Sequence, residues 1–368
     1  MRILHVGASP LPETVNGANT TIWQIAREQV RLGHQVSLLL NTLPNQAALT
    51  WAQQVGLELI HVPATTWRYE PEKLESVLRD QTPQIIHMHS VFLLKQATLA
   101  KTLVQKRIPY LITPNAIDTQ LLRRGWLKKS LYSWLVEKPR FYAASAIVGV
   151  TPKEAEAIRA FVPGYQGIVS SIPNPVNPDD LEGYRWQGNV TRKRLVYLGR
   201  FDVLHKGIDI LIDIARWLPD VEVHLYGSED KRTKPWLERL KRDLPPTVYF
   251  HDPVFGAEKG KILADASLYI QTSRWEVFGV SIAEAMGMGV PCAILETLNL
   301  AELFHQHDLG LVLPSQHQEA ASLLREVLNQ SSCLQKWSER GLNFVQNHFL
   351  PSQVASEYLT LYQKIVFA

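Results

Sequence analysis

The chain has 368 residues and a mass of 41.8 kDa, a length that suggests two domains or one large one. Its formal net charge of +3, from 38 basic and 35 acidic residues, is too balanced for a protein whose main partner is nucleic acid. Two cysteines exclude a disulfide framework and a four-thiolate zinc site, and no apolar run approaches the roughly 20 residues that span a bilayer. We therefore expect a cytoplasmic globular protein.

The first half of the chain alternates short apolar runs with segments of helical period. The runs are four to six residues long and almost continuously apolar, which is typical of strands buried on both faces in a parallel sheet. After the last of these runs, Thr151-Pro152-Lys153-Glu154 has the residues of a capping box that starts a helix. The predicted strands are Ile3–Val6, Val36–Leu40, Leu57–Val62, Ile85–Met88, Tyr110–Thr113 and Ile147–Val150.

The same alternation restarts after residues 173–193, which are rich in proline, glycine and polar residues and are the predicted linker. Strand and helix in alternation predict an α/β protein with two Rossmann-like, doubly wound parallel-sheet domains. We expect the domains to face each other across a cleft, because such sheets bind ligands at the carboxyl ends of their strands. The predicted strands of this half are Leu195–Leu198, Val221–Tyr226, Val248–Phe250, Leu268–Ile270, Cys292–Leu295 and Leu311–Leu313.

Two carboxylates, Glu276 and Glu284, flank a predicted helix start after the strand at 268–270. The helix is predicted from Phe278 to Gly287, and its first backbone amides would form a site for an anion or a polar ligand. Gly279 would let a ligand approach the backbone closely, and the Glu284 carboxylate could hold a vicinal diol through two hydrogen bonds.

A second polar group follows the first strand of the second half. Arg200 comes directly after Gly199, and Lys206 lies six residues further on, just before a predicted helix. Two cations in this position can neutralise a diphosphate and stabilise it as a leaving group. The start of the helix would add its dipole to the same end of the site.

Together these motifs resemble those of the retaining glycosyltransferases of family 4, which have the GT-B fold. The family's Glu–x7–Glu signature and its Gly-Arg-x5-Lys-Gly motif are both present, and Asn16-Gly17 near the start adds to the likeness. The likeness extends over nearly the whole chain and is densest from 195 to 315. The matching residues are Glu276, Phe278, Gly279, Glu284, Ala285, Met286 and Gly289, together with Gly199, Arg200, Lys206 and Gly207.

The resemblance implies a division of labour between the two domains. Residues 1–175, with a C-terminal helix at 351–368, would form the acceptor-side domain, and residues 176–350 would bind the nucleotide sugar. Arg200 and Lys206 would bind the donor diphosphate, Glu284 the ribose hydroxyls, and Glu276 the donor sugar. The further donor-binding residues that it implies are Asn16, Gly17, Gly199, Val277, Phe278, Gly279 and Val280.

Asn115 is the main departure from the family pattern. It follows the strand at 110–113, where the family often has a histidine near the reacting sugar. An asparagine can hydrogen-bond a sugar hydroxyl but cannot act as an acid or a base. Asn115 is therefore a candidate catalytic-site residue, and the alternative is an ordinary turn or cap residue.

No metal site is expected. His87 and His89 alternate along one strand and share a face, but the sequence places no third ligand beside them, so buried hydrogen-bonded histidines are the preferred interpretation. The chain also lacks an Asp-x-Asp pair that could hold a metal–diphosphate complex. We expect a metal-independent reaction with no cofactor besides the nucleotide diphosphate sugar, which is the donor substrate.

The segment 121–142 carries six cations against one acid, Glu137, with aromatic and aliphatic residues between them. Such an amphipathic helix can lie on an anionic membrane surface. The alternative is a solvated face over an ordinary core stripe. The first interpretation would place the protein peripherally at the inner face of a membrane.

The predicted function is transfer of a hexose from a UDP- or GDP-linked sugar to a hydroxyl acceptor with retention of configuration, in glycan, glycolipid or polysaccharide biosynthesis. One alternative is a catalytically silent protein of the same fold that binds a nucleotide sugar or a glycan. Another is a nucleotide-sugar epimerase. A nicotinamide dehydrogenase is disfavoured because no G-x-G-x-x-G motif follows a strand.

Overall fold

The computed structural model describes residues 1–9, 17–117, 132–176, 183–188 and 192–367. The chain divides into two compact units. The first unit comprises Met1–Pro175 and Pro351–Ala368, and the second unit comprises Val176–Leu350. Among these described residues, each unit contains one parallel sheet with helices packed against it.

The sheet of the first unit has seven parallel strands in the order β3-β2-β1-β4-β5-β6-β7. All six predicted strands of this half are present, with no bound shifted by more than one residue. The central positions of five of them are buried, as the continuous apolar runs predict, whereas the residues of the edge strand at 58–61 are exposed or half-buried. The strands are β1 Arg2–Val6, β2 Gln35–Leu40, β3 Glu58–His61, β4 Ile85–His89, β5 Tyr110–Thr113, β6 Ala146–Gly149 and β7 Ile168–Ser171.

The seventh strand, β7, was not predicted from the sequence. It pairs with β6 at the edge of the sheet, where Ile168 is exposed and the next three residues are only half-buried. A strand covered on so little of its surface does not need an uninterrupted apolar run.

The helices of the first unit cover both faces of its sheet with separate hydrophobic cores. The C-terminal helix α15 packs with α1 and α2 on one face, and α3, α4 and α6 cover the other. At the start of α6, the Thr151 hydroxyl accepts a hydrogen bond from the Glu154 amide at 3.2 Å, as the capping box predicts. The helices are α1 Gly17–Arg31, α2 Gln46–Val55, α3 Pro71–Gln81, α4 Leu94–Lys106, α5 Lys138–Tyr142, α6 Pro152–Phe161 and α15 Pro351–Val366.

The second unit has a six-stranded parallel sheet in the order β10-β9-β8-β11-β12-β13. Its strands are β8 Arg194–Leu198, β9 Glu222–Tyr226, β10 Val248–His251, β11 Leu268–Gln271, β12 Cys292–Leu295 and β13 Gly310–Leu313. Strands β8 and β11 are neighbours at the point where the strand order reverses, which is where open α/β sheets bind ligands.

Eight α-helices of the second unit are described, and the stretch 183–188 is held against this unit by hydrogen bonds from Trp186 to the carbonyls of Met288 and Ala266. The helices are α7 Val203–Lys206, α8 Ile208–Arg216, α9 Lys234–Leu240, α10 Gly256–Ala264, α11 Val280–Gly287, α12 Ala301–His307, α13 His317–Val327 and α14 Ser331–His348.

The basic amphipathic helix predicted over 121–142 lies outside the described residues up to position 131. Residues Ser133–Glu137 form a π-helical turn that leads into α5. Arg140 and Glu137 are not on a solvated face, because they form an ion pair at 3.2 Å with both side chains buried. Trp134 and Leu135 are exposed. In the described part of the chain, no helix combines the length and the apolar character needed to cross a bilayer.

Candidate active site at the carboxyl edge of the second sheet

The loop after β8 carries the two predicted phosphate-binding cations. Gly199 leaves the strand with φ +156°, and Asp202 caps the short helix α7 by accepting a hydrogen bond from the His205 amide at 3.1 Å. The half-exposed guanidinium of Arg200 donates a 2.9 Å hydrogen bond to the buried carboxylate of Asp230, which follows β9. The Arg200 side chain is thus held at the sheet edge yet open to solvent.

Lys206, the last residue of α7, is in direct contact with Glu276 through its ammonium group. The Ser273 hydroxyl donates a second hydrogen bond to the same carboxylate oxygen at 2.9 Å. Burial disfavours the ionised form, but the charges of Lys206 and His205 and these hydrogen bonds outweigh it and lower the pKa of Glu276. Glu276 is therefore a carboxylate at neutral pH, and the structure brings together two residues that lie 70 positions apart.

The helix that follows Glu276 begins two residues later than predicted. Gly279 has φ +77°, a left-handed conformation, and α11 starts at Val280 rather than at Phe278. The first hydrogen bonds of α11 run from Ile282 and Ala283 to the Gly279 carbonyl, so the preceding amides lie at an open helix start. The ring of Phe278 is buried against Phe349 at 5.2 Å between centroids, which leaves only its backbone to face a ligand.

Glu284 lies one turn into α11 and is partly exposed. Its carboxylate accepts a 2.9 Å hydrogen bond from the ammonium of Lys259 on α10. A diol that took both oxygens of Glu284 would compete with Lys259 for one of them. Lys259 had no signal in the sequence, because nothing in its local pattern relates it to a residue 25 positions away.

A buried chain of hydrogen bonds supports Glu276 from below. The Tyr269 hydroxyl donates to Gln271 at 2.5 Å, the Gln271 amide donates to Ser273 at 2.6 Å, and Ser273 donates to Glu276. The Tyr269 hydroxyl also lies 2.8 Å from the hydroxyl of Ser281 in the first turn of α11. This series of hydrogen bonds fixes the side chains of Tyr269, Gln271 and Ser273 next to Glu276, and it connects them to Ser281 at the start of α11.

In the first unit, Asn115 follows β5 with φ +54°. Both polar atoms of its side-chain amide are buried and have no hydrogen-bond partner among the described residues. The next two amides, of Ala116 and Ile117, donate to the buried carboxylate of Glu154 at 2.9 and 3.0 Å. The predicted donor-binding residue Asn16 lies outside the described residues, and Gly17 begins α1.

Two family models match the chain, one in each half. Residues 15–180 match the model described as Glycosyltransferase Family 4, and residues 192–330 match the model described as Glycosyl transferases group 1. The chain belongs to glycosyltransferase family 4. The second match contains Arg200, Lys206, Glu276 and Glu284, the four charged residues of the two sequence motifs.

Three curated relatives have low sequence identity to this glycosyltransferase, but each match extends over about three quarters or more of both chains. It is 24% identical to a human phosphatidylinositol N-acetylglucosaminyltransferase chain over 95% of its own length and 74% of the relative. It is 19% identical to the N-acetyl-alpha-D-glucosaminyl L-malate synthase of Bacillus anthracis over 99% of this chain and 97% of the relative. A Klebsiella pneumoniae protein of the cps region is 22% identical over 76% of this chain and 78% of that protein.

Solved structures show that this glycosyltransferase has the GT-B fold. Sucrose-phosphate synthase from Thermosynechococcus elongatus superposes with a TM-score of 0.78 at 18% identity, over 99% of this chain and 98% of that one. Anabaena Alr3699/HepE in complex with UDP superposes with a TM-score of 0.75 at 19% identity, over 99% and 100%. The prediction of two Rossmann-like parallel-sheet domains is confirmed.

The first unit of the glycosyltransferase buries three histidines side by side, where the sequence indicated two. His5 on β1 is in register with His87 on β4, and its Nδ1 lies 3.0 Å from Nε2 of His89. The other nitrogen of His5 lies 2.8 Å from Gln29 Oε1, and the two nitrogens of His87 lie 2.6 and 2.7 Å from hydroxyls of Tyr362 and Thr113.

These contacts bear on whether the three histidines could hold a metal ion. Burial lowers the pKa of all three, that of His5 to about 4, so they are neutral at pH 7. Of the six ring nitrogens, His89 Nδ1 is the one without a hydrogen-bond partner among the described residues. An ion bound by all three rings would have to displace a hydroxyl from His87. The cluster fits a hydrogen-bonded anchor for α15, which carries Tyr362, better than a metal site.

Proposed function

We propose that this glycosyltransferase transfers a hexose from a UDP- or GDP-linked sugar to a hydroxyl acceptor and retains the anomeric configuration. The observation that carries the proposal is the arrangement at the strand-order reversal of the second unit. There, Arg200 and Lys206 follow β8, Glu276 and Glu284 follow the neighbouring strand β11, and Lys206 contacts Glu276. All four residues arise from motifs that the family shares.

The donor diphosphate is assigned to Arg200 and Lys206. Both cations lie at the carboxyl edge of the sheet, and the exposed guanidinium of Arg200 can turn from Asp230 to a phosphate without leaving that carboxylate unpaired, because Arg232 also donates to it at 3.2 Å. The vicinal hydroxyls of the ribose are assigned to Glu284 and the donor sugar to Glu276, with the amides of 277–280 alongside.

The names of related proteins support the choice of nucleotide. Alr3699/HepE has been solved with UDP, with UDP and glucose, and with UDP-glucose. A relative in Corynebacterium glutamicum, 22% identical over 79% of this chain, is a GDP-mannose-dependent alpha-mannosyltransferase. Both nucleotides therefore belong in a donor panel.

Retention follows if the acceptor attacks the face from which the diphosphate departs. The bond between the anomeric carbon and the phosphate oxygen breaks, the bond to the acceptor oxygen forms on the same side, and the departing phosphate oxygen takes the acceptor proton. Arg200 and Lys206 would stabilise the charge that develops on the diphosphate.

We propose that no metal is needed, because two cations already occupy this position, and we expect full activity in excess EDTA. An absolute requirement for a divalent ion would contradict this part.

The first unit is proposed to bind the acceptor, and Asn115 is proposed to hydrogen-bond a hydroxyl of the reacting sugar. Its side-chain amide lies at the carboxyl edge of a sheet, is buried and has no hydrogen-bond partner in the part of the chain that the structure describes, which supports this role. We also propose contact with an anionic membrane through the segment that includes the exposed Trp134 and Leu135. Sedimentation with anionic and with neutral vesicles tests this contact, and a protein that stays in the supernatant with both would contradict it.

The proposed function is tested with a panel of nucleotide sugars, scored by thermal shift, donor hydrolysis and transfer to simple glycosides. One donor should stabilise the protein and be consumed, and the anomeric proton coupling of the product should match that of the donor. Binding without any turnover would favour the silent protein, and a free epimer formed without acceptor would favour the epimerase.

A further inference from the structure

The loops that carry Lys206 and Glu276 are joined by one arginine. Arg274, two residues before Glu276, forms a two-pronged ion pair with Asp209 on α8, with Nη1 2.9 Å from Oδ1 and Nη2 2.5 Å from Oδ2. Nη1 also donates to the Val203 carbonyl at 2.8 Å, and the Arg274 amide donates to the His205 carbonyl at 2.9 Å. Arg274 thus contacts the first residue of α7, the third residue of α7, and Asp209 on the helix that follows it.

This connection lies where the sheet itself does not hold the two loops together. Strands β8 and β11 pair only at their amino ends, in the register Leu268↔Leu195 and Tyr269↔Val196. On its other side, β8 pairs with β9 along its full length, up to Leu198. The ladder therefore leaves the last residues of β8 and β11 unpaired with each other, directly below the two loops.

Two smaller contacts reinforce the same junction. The Thr272 hydroxyl donates to the Gly207 carbonyl at 3.0 Å. The ring of His205 stacks on Trp275 at 4.4 Å between centroids and donates to its carbonyl at 3.0 Å. Of these contacts, only the ion pair has the directional, planar geometry that fixes both spacing and orientation.

We propose that Arg274 and Asp209 are a positioning pair that holds Lys206 against Glu276 for the transfer step. The inference rests on the proposed function, because it assigns to these residues the geometry of the proposed diphosphate and sugar contacts. The Arg274 and Asp209 side chains are 33% and 30% exposed. Pairs exposed to this degree contribute little to overall stability. Removing the pair should therefore lower kcat more than it lowers the melting temperature.

The first arm of the test compares Arg274→Ala, Asp209→Ala and the double variant for kcat and donor KM. A displacement of about 1 Å at the reacting groups typically lowers the rate by about 100-fold, so we expect kcat to fall about 10- to 100-fold with donor KM within about threefold. The double variant should lose no more than either single one. Arg274→Lys, which keeps the charge without the planar fork, should lie between wild type and Arg274→Ala.

The matched control is Arg194→Ala. Arg194 pairs with Asp265 at 2.5 Å in the same unit but at the amino end of β8, so kcat should be unchanged. Wild-type kcat in both Arg274→Ala and Asp209→Ala would overturn the positioning role. So would an equal loss in Arg194→Ala, because the effect would then be a general one on the fold.

The second arm needs no activity and keeps the inference separate from the proposed function. The melting temperatures of Lys206→Met, Glu276→Gln and their double variant define a coupling between the two side chains, expected to be about 3–6 °C. Repeating the cycle in Arg274→Ala should reduce this coupling by more than half, and an unchanged coupling would overturn the inference. If wild type transfers no sugar from any donor, the proposed function fails and this arm alone decides the positioning role.

Discussion

Replacing Lys206 with methionine should destabilise the second unit in a pH-dependent way. The substitution keeps most of the side-chain volume but removes the charge that offsets the burial of the Glu276 carboxylate. Breaking a fully buried pair costs about 3–5 kcal/mol, and exposed pairs contribute about 0–1 kcal/mol. Because these side chains are 19% and 13% exposed, we expect a loss of about 2 kcal/mol at pH 7.5.

The sign of the pH dependence follows from the pKa of Glu276. In wild type this pKa is lowered in the folded state, so Glu276 contributes stability above the unfolded value of 4.5 and loses it as the pH falls through the folded pKa. In Lys206→Met, burial is no longer offset by the ammonium, and the folded pKa should rise above 4.5. The loss of stability caused by Lys206→Met is then largest at neutral pH, and it becomes smaller as the Glu276 carboxyl group becomes protonated.

Calorimetry between pH 5 and pH 7.5 measures this difference. For a unit of this size, about 2 kcal/mol lowers the melting temperature by about 4–8 °C, and we expect less than half of that at pH 5. Adding Glu276→Gln to Lys206→Met should restore much of the loss at pH 7.5. Lys193→Met, which removes the exposed pair with Asp220, is the control and should change melting by about 1 °C or less. An equal deficit at both pH values would refute the reasoning.

Three further variants test the site assignments. Arg200→Ala should lower transfer by about 3 kcal/mol in the transition state while melting stays near wild type, since Arg232 still pairs with Asp230; near-normal initial rates would remove Arg200 from the diphosphate site. Glu284→Ala should raise donor KM at least about tenfold with a smaller change in kcat, because it loses hydrogen bonds present in both ground and transition states; an unchanged KM would rule out the ribose assignment. Asn115→Gly, which keeps the left-handed backbone, should slow transfer by about 1–3 kcal/mol without weakening nucleotide binding, and an unaltered rate would leave Asn115 as a turn residue.

The central strands of both sheets could be predicted because burial on two faces requires continuous apolar runs. The same logic missed β7, because only its first two residues are apolar and its last two, Ser170 and Ser171, are polar. The start of α11 was placed two residues early because the pattern from Phe278 is apolar, whereas the left-handed Gly279 interrupts the helix there. Local patterns therefore recover the elements better than their ends.

The motif residues of the site were predictable, but their partners were not. Asp230, Lys259 and Asp209 reach Arg200, Glu284 and Arg274 across 25 to 65 positions, and no local spacing relates them. The third histidine was missed for a similar reason, since His5 meets His87 only through the parallel register of β1 and β4. Such contacts follow from strand order, which the sequence pattern does not contain.

The return of α15 to the first unit has a consequence for synthesis on the ribosome. Tyr358 and Tyr362, whose hydroxyls contact Thr113 and His87, are translated only after all of Val176–Leu350. At about 5–20 residues per second, the nascent amino-terminal sheet waits roughly 10–35 s for the helix that covers one of its faces. The second unit is continuous in the chain and can complete its core during that interval. A truncation that removes only the last turns of the polypeptide would thus leave the later-made unit intact and the earlier-made one uncovered.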